Sequence, residues 1–229
     1  MGLPKGLTCL ALAVLAAAPA LAQFEARATV TDGSGQQIGE RRTYVNGPKV
    51  RVDEGEQGVI LDVDAETVTT LDHRARTYEV SKLAGPAAAP TPLEQQFAAI
   101  ARRMQDLGRG GRPLRVERGA GTRTLLGRNT VEMQLFRGDR KVLESWHAPD
   151  VSASSLAEAV FKAEAGLVMR GLADPDAQAE RTRLLSGFPL LEKDLVTGTT
   201  VTVAEFKSKV PAADVFAPPA GYRRVGWQP

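Results

Sequence analysis

Residues 58–80, GVILDVDAETVTTLDHRARTYEV, gather Asp62, Asp64, Glu66, Asp72 and His73, one of only two histidines in the chain. If these groups converged they would make a metal or acid/base site; if they sit in turns, the stretch is a strand meander. The apolar spacing favours turns. Val59, Leu61 and Val63 alternate with Ile60 and Asp62, the period of two of a strand with distinct faces. Thr67 to Leu71 is a second β-branched run, and Tyr78 and Val80 share a face of a third. Asp64-Ala65-Glu66 and Asp72-His73-Arg74-Ala75 fall between the runs. A short Asp carboxylate there accepts backbone N–H bonds from residues just ahead of it.

The same grammar extends outward. Upstream, Phe24, Ala26, Ala28 and Val30 alternate with Glu25, Arg27 and Thr29, Asp32 to Gly35 is a turn cluster, and Gln36 to Val45 returns antiparallel. Asn46-Gly47-Pro48 then leads into PKVRVDE, where Val50 and Val52 share a face. Downstream, LAGPAAAPTP is a Pro/Ala linker, after which Leu93, Phe97, Ile100, Met104 and Leu107 form a stripe along one side of a helix stopped by glycines 108, 110 and 111. Strand periodicity resumes from about Pro113: Val131, Met133 and Leu135 share a face, Gly138-Asp139 is a hairpin turn, and Val142 and Trp146 face together. A second helix is expected near SASSLAEAVFKAEAGLVM, with Ser155 and Glu158 at capping-box spacing. A third, opened by Asp174-Pro175, should run to Leu185 before Gly187. FPLLEKDLV and TVTVAEFKSKV read as closing strands around a Thr197-Gly198 turn. The tail from Val210 is too rich in proline for a central strand.

The first residues set the compartment. Lys5, an apolar run from Leu7 to Ala18, Pro19 and the small-residue pattern Ala20-Leu21-Ala22 have the order of a secretory signal peptide. The expectation is a signal peptide over 1–22 and a single mature domain over 23–229. That domain would be exported to the periplasm, or to the extracellular space, with no integral membrane span after cleavage. The single cysteine, Cys9, falls inside the leader, so the mature chain would have no disulfide, thiolate ligand or cysteine nucleophile. Losing Lys5 leaves 28 basic against 27 acidic residues, a balance that creates no global field for nucleic acid.

Other chemistry is thin. Two histidines far apart and no cysteine do not make a zinc set, and Asp62-Val63-Asp64 lacks the glycine and terminal glutamate of a calcium loop. There is no G-x-S-x-G elbow, and GRGGR at 108–112 follows a helix rather than preceding one, the reverse of a phosphate-binding loop. No metal, cofactor or catalytic residue is assigned. Apolar surface remains. The helix stripe must cover something, and a curved sheet presenting Val59, Leu61, Tyr78, Met133 and Trp146 could be that surface. The two together make either a filled core or a cavity for an acyl chain or another apolar ligand. The candidate ligand-binding residues are Leu61, Tyr78, Phe97, Ile100, Met104, Met133 and Trp146.

Several phrases taken together, PKVRVDE, VILDVDAETVTTLDHRARTYEV, ESWHAPD, FPLL and VFAPPAGY, resemble in that order a family of secreted bacterial proteins of unknown function. That family is itself similar to the periplasmic lipoprotein-carrier proteins of the LolA/LolB type. Tyr78, Trp146, Pro149, Pro189 and Gly221-Tyr222 match its recurrent positions, and the resemblance supplies no catalytic residue. It implies an α+β fold: a curved antiparallel sheet forming an incomplete β-barrel, with two or three helices covering its concave face. The functional expectation is a non-enzymatic periplasmic protein that binds a hydrophobic ligand or a lipidated partner. The alternatives are an envelope protein–protein interaction or stress-related module with a filled core, and a hydrolase using Asp62, Asp64 or His73.

Overall fold

The structure is a computed structural model that describes residues 22–82, 114–157 and 177–225. Twelve strands among these residues form one open sheet. The first six, β1 (Gln23–Thr31), β2 (Gln37–Asn46), β3 (Lys49–Glu54), β4 (Gln57–Asp62), β5 (Thr67–Asp72) and β6 (Thr77–Lys82), are an unbroken antiparallel meander. The other half comprises β7 (Leu114–Leu125), β8 (Arg128–Arg137), β9 (Arg140–Ala148), β10 (Phe188–Asp194) and β11 (Thr200–Lys207). β11 returns to pair with β1, and β12 (Arg223–Arg224) lies along the edge of β6, so the strand order is β12-β6-β5-β4-β3-β2-β1-β11-β10-β9-β8-β7. Among the described strands only β12 is parallel to its neighbour. An open sheet of this size is consistent with the expected incomplete barrel.

Cross-strand register assigns side chains to two faces, because residues directly opposite each other point the same way. The row Ser81, Val68, Leu61, Val50, Val45 and Phe24 lies on one face, and so does the row Val30, Val201, Glu192, Ser145 and Met133. This covered face holds the main core. Phe24 is its centre, 4.7 Å from the ring of Phe188 and 5.2 Å from that of Phe206, with Val45, Val50 and Leu190 packed around them. Burying side chains of this size contributes roughly 1.5–3 kcal/mol each. The outer face has a smaller buried set, Ile60 and Leu71, beneath the C-terminal tail.

Helices are few among the described residues. α1 (Ala177–Leu184) lies beside the covered face, residues 154–157 form a helical turn, and Ala213–Phe216 form a 3-10 turn in the tail. The turn at 154 begins two residues earlier than the capping-box spacing at Ser155 suggests. Ser154 N–H bonds to Ser152 Oγ and Ala157 N–H to the Ala153 carbonyl. The expected helix over 93–107 and the expected signal peptide lie outside the described residues.

Gly187 joins α1 to the sheet. Its N–H bonds the Leu184 carbonyl at 3.1 Å, closing the helix, and its φ is +124°, in a region that L side chains rarely enter. A Cβ there would stand 2.3 Å from the Ala148 carbonyl oxygen, so nothing larger than hydrogen fits.

Candidate functional site

Ala26 and Ala28 on β1, Thr43 on β2, Val52 on β3 and Val201 and Val203 on β11 form a contiguous patch of the covered face. These side chains are short. Where Phe24 and Val45 fill the neighbouring part of the face, the alanines leave a depression that, among the described residues, Leu156, Leu184, Phe188 and Pro189 wall in without closing. The result is a half-open cleft of about 410 Å³, within the usual range for a small-molecule or acyl-chain site.

One side of the cleft is charged. Arg41, Glu180, Arg183 and Glu192 line it, and Arg183 is the hub. Its Nε donates to Glu180 Oε2 at 2.8 Å and its Nη1 to Glu192 Oε1 at 2.6 Å. Arg41 Nη1 reaches the other oxygen of Glu192 at 3.4 Å, while its Nε donates to Glu54 at 2.6 Å. Burial works against the charge on Glu192, yet the guanidinium groups of Arg183 and Arg41 outweigh it and hold the carboxyl below the ordinary carboxylate range. Burial also opposes the charge on Arg183, and Glu192 and Glu180 overcome it, raising its affinity for the proton.

Behind Arg183 sits a fully buried pair, Ser145 and His147, on β9. His147 Nδ1 is 2.7 Å from the Gly187 carbonyl oxygen, which can only accept, so Nδ1 carries the hydrogen. Nε2 is then the acceptor, 2.8 Å from Ser145 Oγ and 3.3 Å from Arg183 Nη1. Burial first, and the Arg183 charge second, push the His147 pKa down to about 4, so the ring is neutral at pH 7. A serine bonded to a histidine is the first element of a nucleophilic site. Here neither side chain has surface to offer, since both are 0% exposed and the Arg183 guanidinium stands against them.

The second histidine belongs to the outer face. His73 Nε2 lies 3.1 Å from Asp53 Oδ1, and Nδ1 lies 2.8 Å from the hydroxyl of Tyr222 in the tail. The carboxylate only accepts, so Nε2 donates to it and Tyr222 donates to Nδ1. Arg51 completes the group, donating Nε to Asp53 Oδ2 and Nη1 to the Val215 carbonyl, both at 2.8 Å. Gly58 leaves room for this arrangement, because a Cβ there would be 2.4 Å from Asp53 Oδ1 and 2.9 Å from His73 Nε2. These contacts strap the tail to the sheet.

The carboxylates of the 58–80 stretch do not join His73. Asp62 Oδ1 accepts the Ala65 N–H at 3.0 Å and Asp72 Oδ1 the Ala75 N–H at 2.7 Å, the expected turn role. Asp62 pairs with Thr67 and Gln57 with Asp72, so Asp62 and Asp64 lie at one end of the β4–β5 hairpin and His73 at the other. That is a strand length, roughly 20 Å. Among the described residues no three His, Cys, Asp or Glu side chains are gathered to hold a metal ion.

The seven residues expected to line a ligand wall divide. Leu61 and Met133 are buried on the covered face. Tyr78 and Trp146 project from the outer face, in the rows Tyr78-Leu71-Gly58-Asp53 and Trp146-Leu191-Thr202-Thr29. Trp146 is sandwiched there, with Arg123 3.8 Å and Lys193 5.4 Å from its ring centre. Phe97, Ile100 and Met104 lie outside the described residues. The cleft is built from other residues: alanines and valines that alternation marked only as a strand face, and the Arg183 and Glu192 that nothing in the local sequence singled out. A trace of the buried pair was present in ESWHAPD, because Ser and His two apart on a strand share a face.

No protein-family model matches the chain, and no curated protein matches it. Solved structures do. PNGF-II in a C2 crystal form superposes with a TM-score of 0.46 at 10% identity, over 89% of this chain and 30% of the other. An uncharacterized conserved protein from Thermus thermophilus gives 0.45 at 12% identity, over 90% and 91% of the two chains. The complex structure of Pseudomonas aeruginosa MucA/MucB gives 0.42 at 12%, over 86% and 56%. The chain therefore spans 30% and 32% of the length of the two PNGF-II structures it matches. Superpositions of this quality carry no functional argument.

Proposed function

We propose that the protein is an exported binding protein whose cleft receives an apolar ligand, either an acyl chain or the lipidated segment of a partner, without acting on it chemically. The observation that carries this reading is the cleft of about 410 Å³ set into the face of the sheet where Ala26 and Ala28 replace larger core residues. A cleft with an apolar floor and a few fixed polar groups to one side is the usual form of a site for an amphiphilic molecule. The leader-like residues 1–22 support export to the periplasm, and no described helix is long and apolar enough to cross a membrane. A binding role rather than a catalytic one is supported by the closure of the Ser145–His147 pair.

The test is mass spectrometry of organic extracts of the purified chain beside titration with a fluorescent fatty acid. Ala28→Leu, which fills the floor with a side chain that suits a strand core, should abolish titration while the fold persists. Extracts free of lipid and a flat titration of the unaltered protein would refute the reading.

A second reading, a protein-interaction module, is favoured by Ile38 and Val196, which are 59% and 60% exposed. They flank two hairpin loops that meet where Gly33 and Gly198 touch. Ile38→Asp combined with Val196→Asp would then abolish capture of a protein partner and leave the fatty-acid titration intact.

A further inference from the structure

A helix laid over an apolar sheet ordinarily brings an apolar stripe to it. α1, AQAERTRL, brings Leu184 and a cation: among its described side chains, Leu184 and Arg183 are the buried ones. Arg183 enters a socket made by three side chains of two strands, Ser145 and His147 of β9 and Glu192 of β10, and is steadied from its own helix by Glu180. The socket converges on one guanidinium nitrogen: Nη1 lies 2.6 Å from Glu192 Oε1, 3.3 Å from His147 Nε2 and 3.4 Å from Ser145 Oγ, and its bond to Glu192 is short and charge-assisted. It is also a poor adhesive compared with apolar packing, since the desolvation of a buried ion pair offsets most of its attraction. Glu180, Arg183 and Leu184 at the same time line one side of the cleft. The helix is therefore a wall of the cleft, and a polar fastening holds that wall in place.

We infer that α1 is the gate of the cleft and that Arg183 is its bolt: withdrawal of the guanidinium from the Ser145–His147–Glu192 socket lets α1 move off the sheet and admits the ligand. The inference rests on the reading that the cleft receives an apolar ligand. It assigns Arg183, Glu180 and Glu192 a role in timing. Opening breaks these directional bonds and uncovers one apolar side chain, Leu184, while the Phe24–Phe188–Phe206 cluster stays intact.

Stopped-flow mixing of the full chain with phenylnaphthylamine, a neutral fluorophore that responds to apolar sites, separates the two ideas. Glu180→Gln, which weakens one partner of Arg183, should raise the association rate constant about threefold, and Glu192→Gln about tenfold. Amide exchange within α1 should rise in both. Gly58→Ala serves as control: it strains the outer face without touching α1, so a loss of general stability would lower its melting temperature while leaving the association rate at the unaltered value. Folded Glu180→Gln protein with an unchanged association rate overturns the gate and leaves the cleft reading standing. An association rate raised equally in Gly58→Ala also overturns it. Absence of any fluorescence change with the unaltered chain removes the cleft reading itself, and the gate with it. Should Glu192→Gln fail to fold, Glu180→Gln decides alone, because Glu180 is the more exposed partner of the bolt.

Discussion

His73 accepts the hydroxyl hydrogen of Tyr222 across 2.8 Å, joining positions 149 residues apart and holding the C-terminal tail against the outer face. The bond is half-buried and backed by Asp53 and Arg51, so it is worth about 1 kcal/mol. Tyr222→Phe should therefore speed amide exchange in residues 213–225 by about fivefold and leave β1 and β11 unchanged. His73→Ala should do the same and add exchange at β6, whose edge the tail covers. Uniform protection in both variants would show that the tail is held by other contacts.

The buried histidine gives stability a pH dependence of defined sign. His147 has its pKa lowered from 6.5 to about 4, so between those values the unfolded chain binds a proton that the folded chain excludes. Stability from this group is complete above pH 6.5 and declines as the pH falls through that window, by about 3 kcal/mol in all. Glu192, also lowered, acts in the same direction, but only below its ordinary value of 4.5. Urea unfolding measured from pH 7.5 to pH 4 should show the decline, and His147→Gln should flatten it between pH 6.5 and 4.5 while lowering stability at pH 7. A flat profile for the unaltered chain would contradict the buried, neutral ring.

Trp146 reports on the outer face. Removing the stacked guanidinium with Arg123→Ala should shift tryptophan emission to the red and increase quenching by acrylamide. The fatty-acid titration should be unaffected, because the cleft lies on the other side of the sheet. A loss of binding in this variant would mean that Trp146 and the cleft share a face of the sheet.

Gly187→Ala is expected to be severe. The new Cβ meets the Ala148 carbonyl carbon at 2.7 Å as well as its oxygen, on backbone that disfavours any side chain. A cost of about 3 kcal/mol follows, read as a lowered urea midpoint. Arg183→Lys is expected to be milder in stability but to increase exchange in α1, since an ammonium cannot span Glu180 and Glu192 as a fork does.

Much of the sheet was legible in the sequence. The alternation at Phe24 to Val30 and at Val59 to Val63 marked true strands, and the Asp-rich spots marked true turns, because both signals are local. Periodicity within a strand also showed which residues share a face. It could not show which face of one strand continues into the next, a matter of hairpin register. Alternation alone therefore places Tyr78 and Leu61 on one wall, although β5 sets them on opposite sides. The Ser145–His147–Arg183 cluster and the His73–Tyr222 strap join residues about 40 and 149 positions apart, and no propensity or spacing rule reaches that far. The cleft was hidden for a further reason: Ala26 and Ala28 satisfy the strand pattern as well as larger residues do, and the pattern does not register missing volume.

The short parallel strand Arg223–Arg224 acts as a guard against self-assembly. Arg223 N–H bonds the Arg76 carbonyl at 2.9 Å and the following Val225 N–H bonds the Tyr78 carbonyl at 2.8 Å, so that end of the sheet offers less bare ladder for another chain to extend. Its two cations repel a like edge approaching from a neighbour. A protease cutting between Lys207 and Pro211, where Ser208, Lys209 and Val210 stand exposed, would strip this guard and uncover Ile60 and Leu71 together with it. The clipped molecule would keep its principal core but present a bare strand edge and newly exposed apolar side chains to any neighbouring chain.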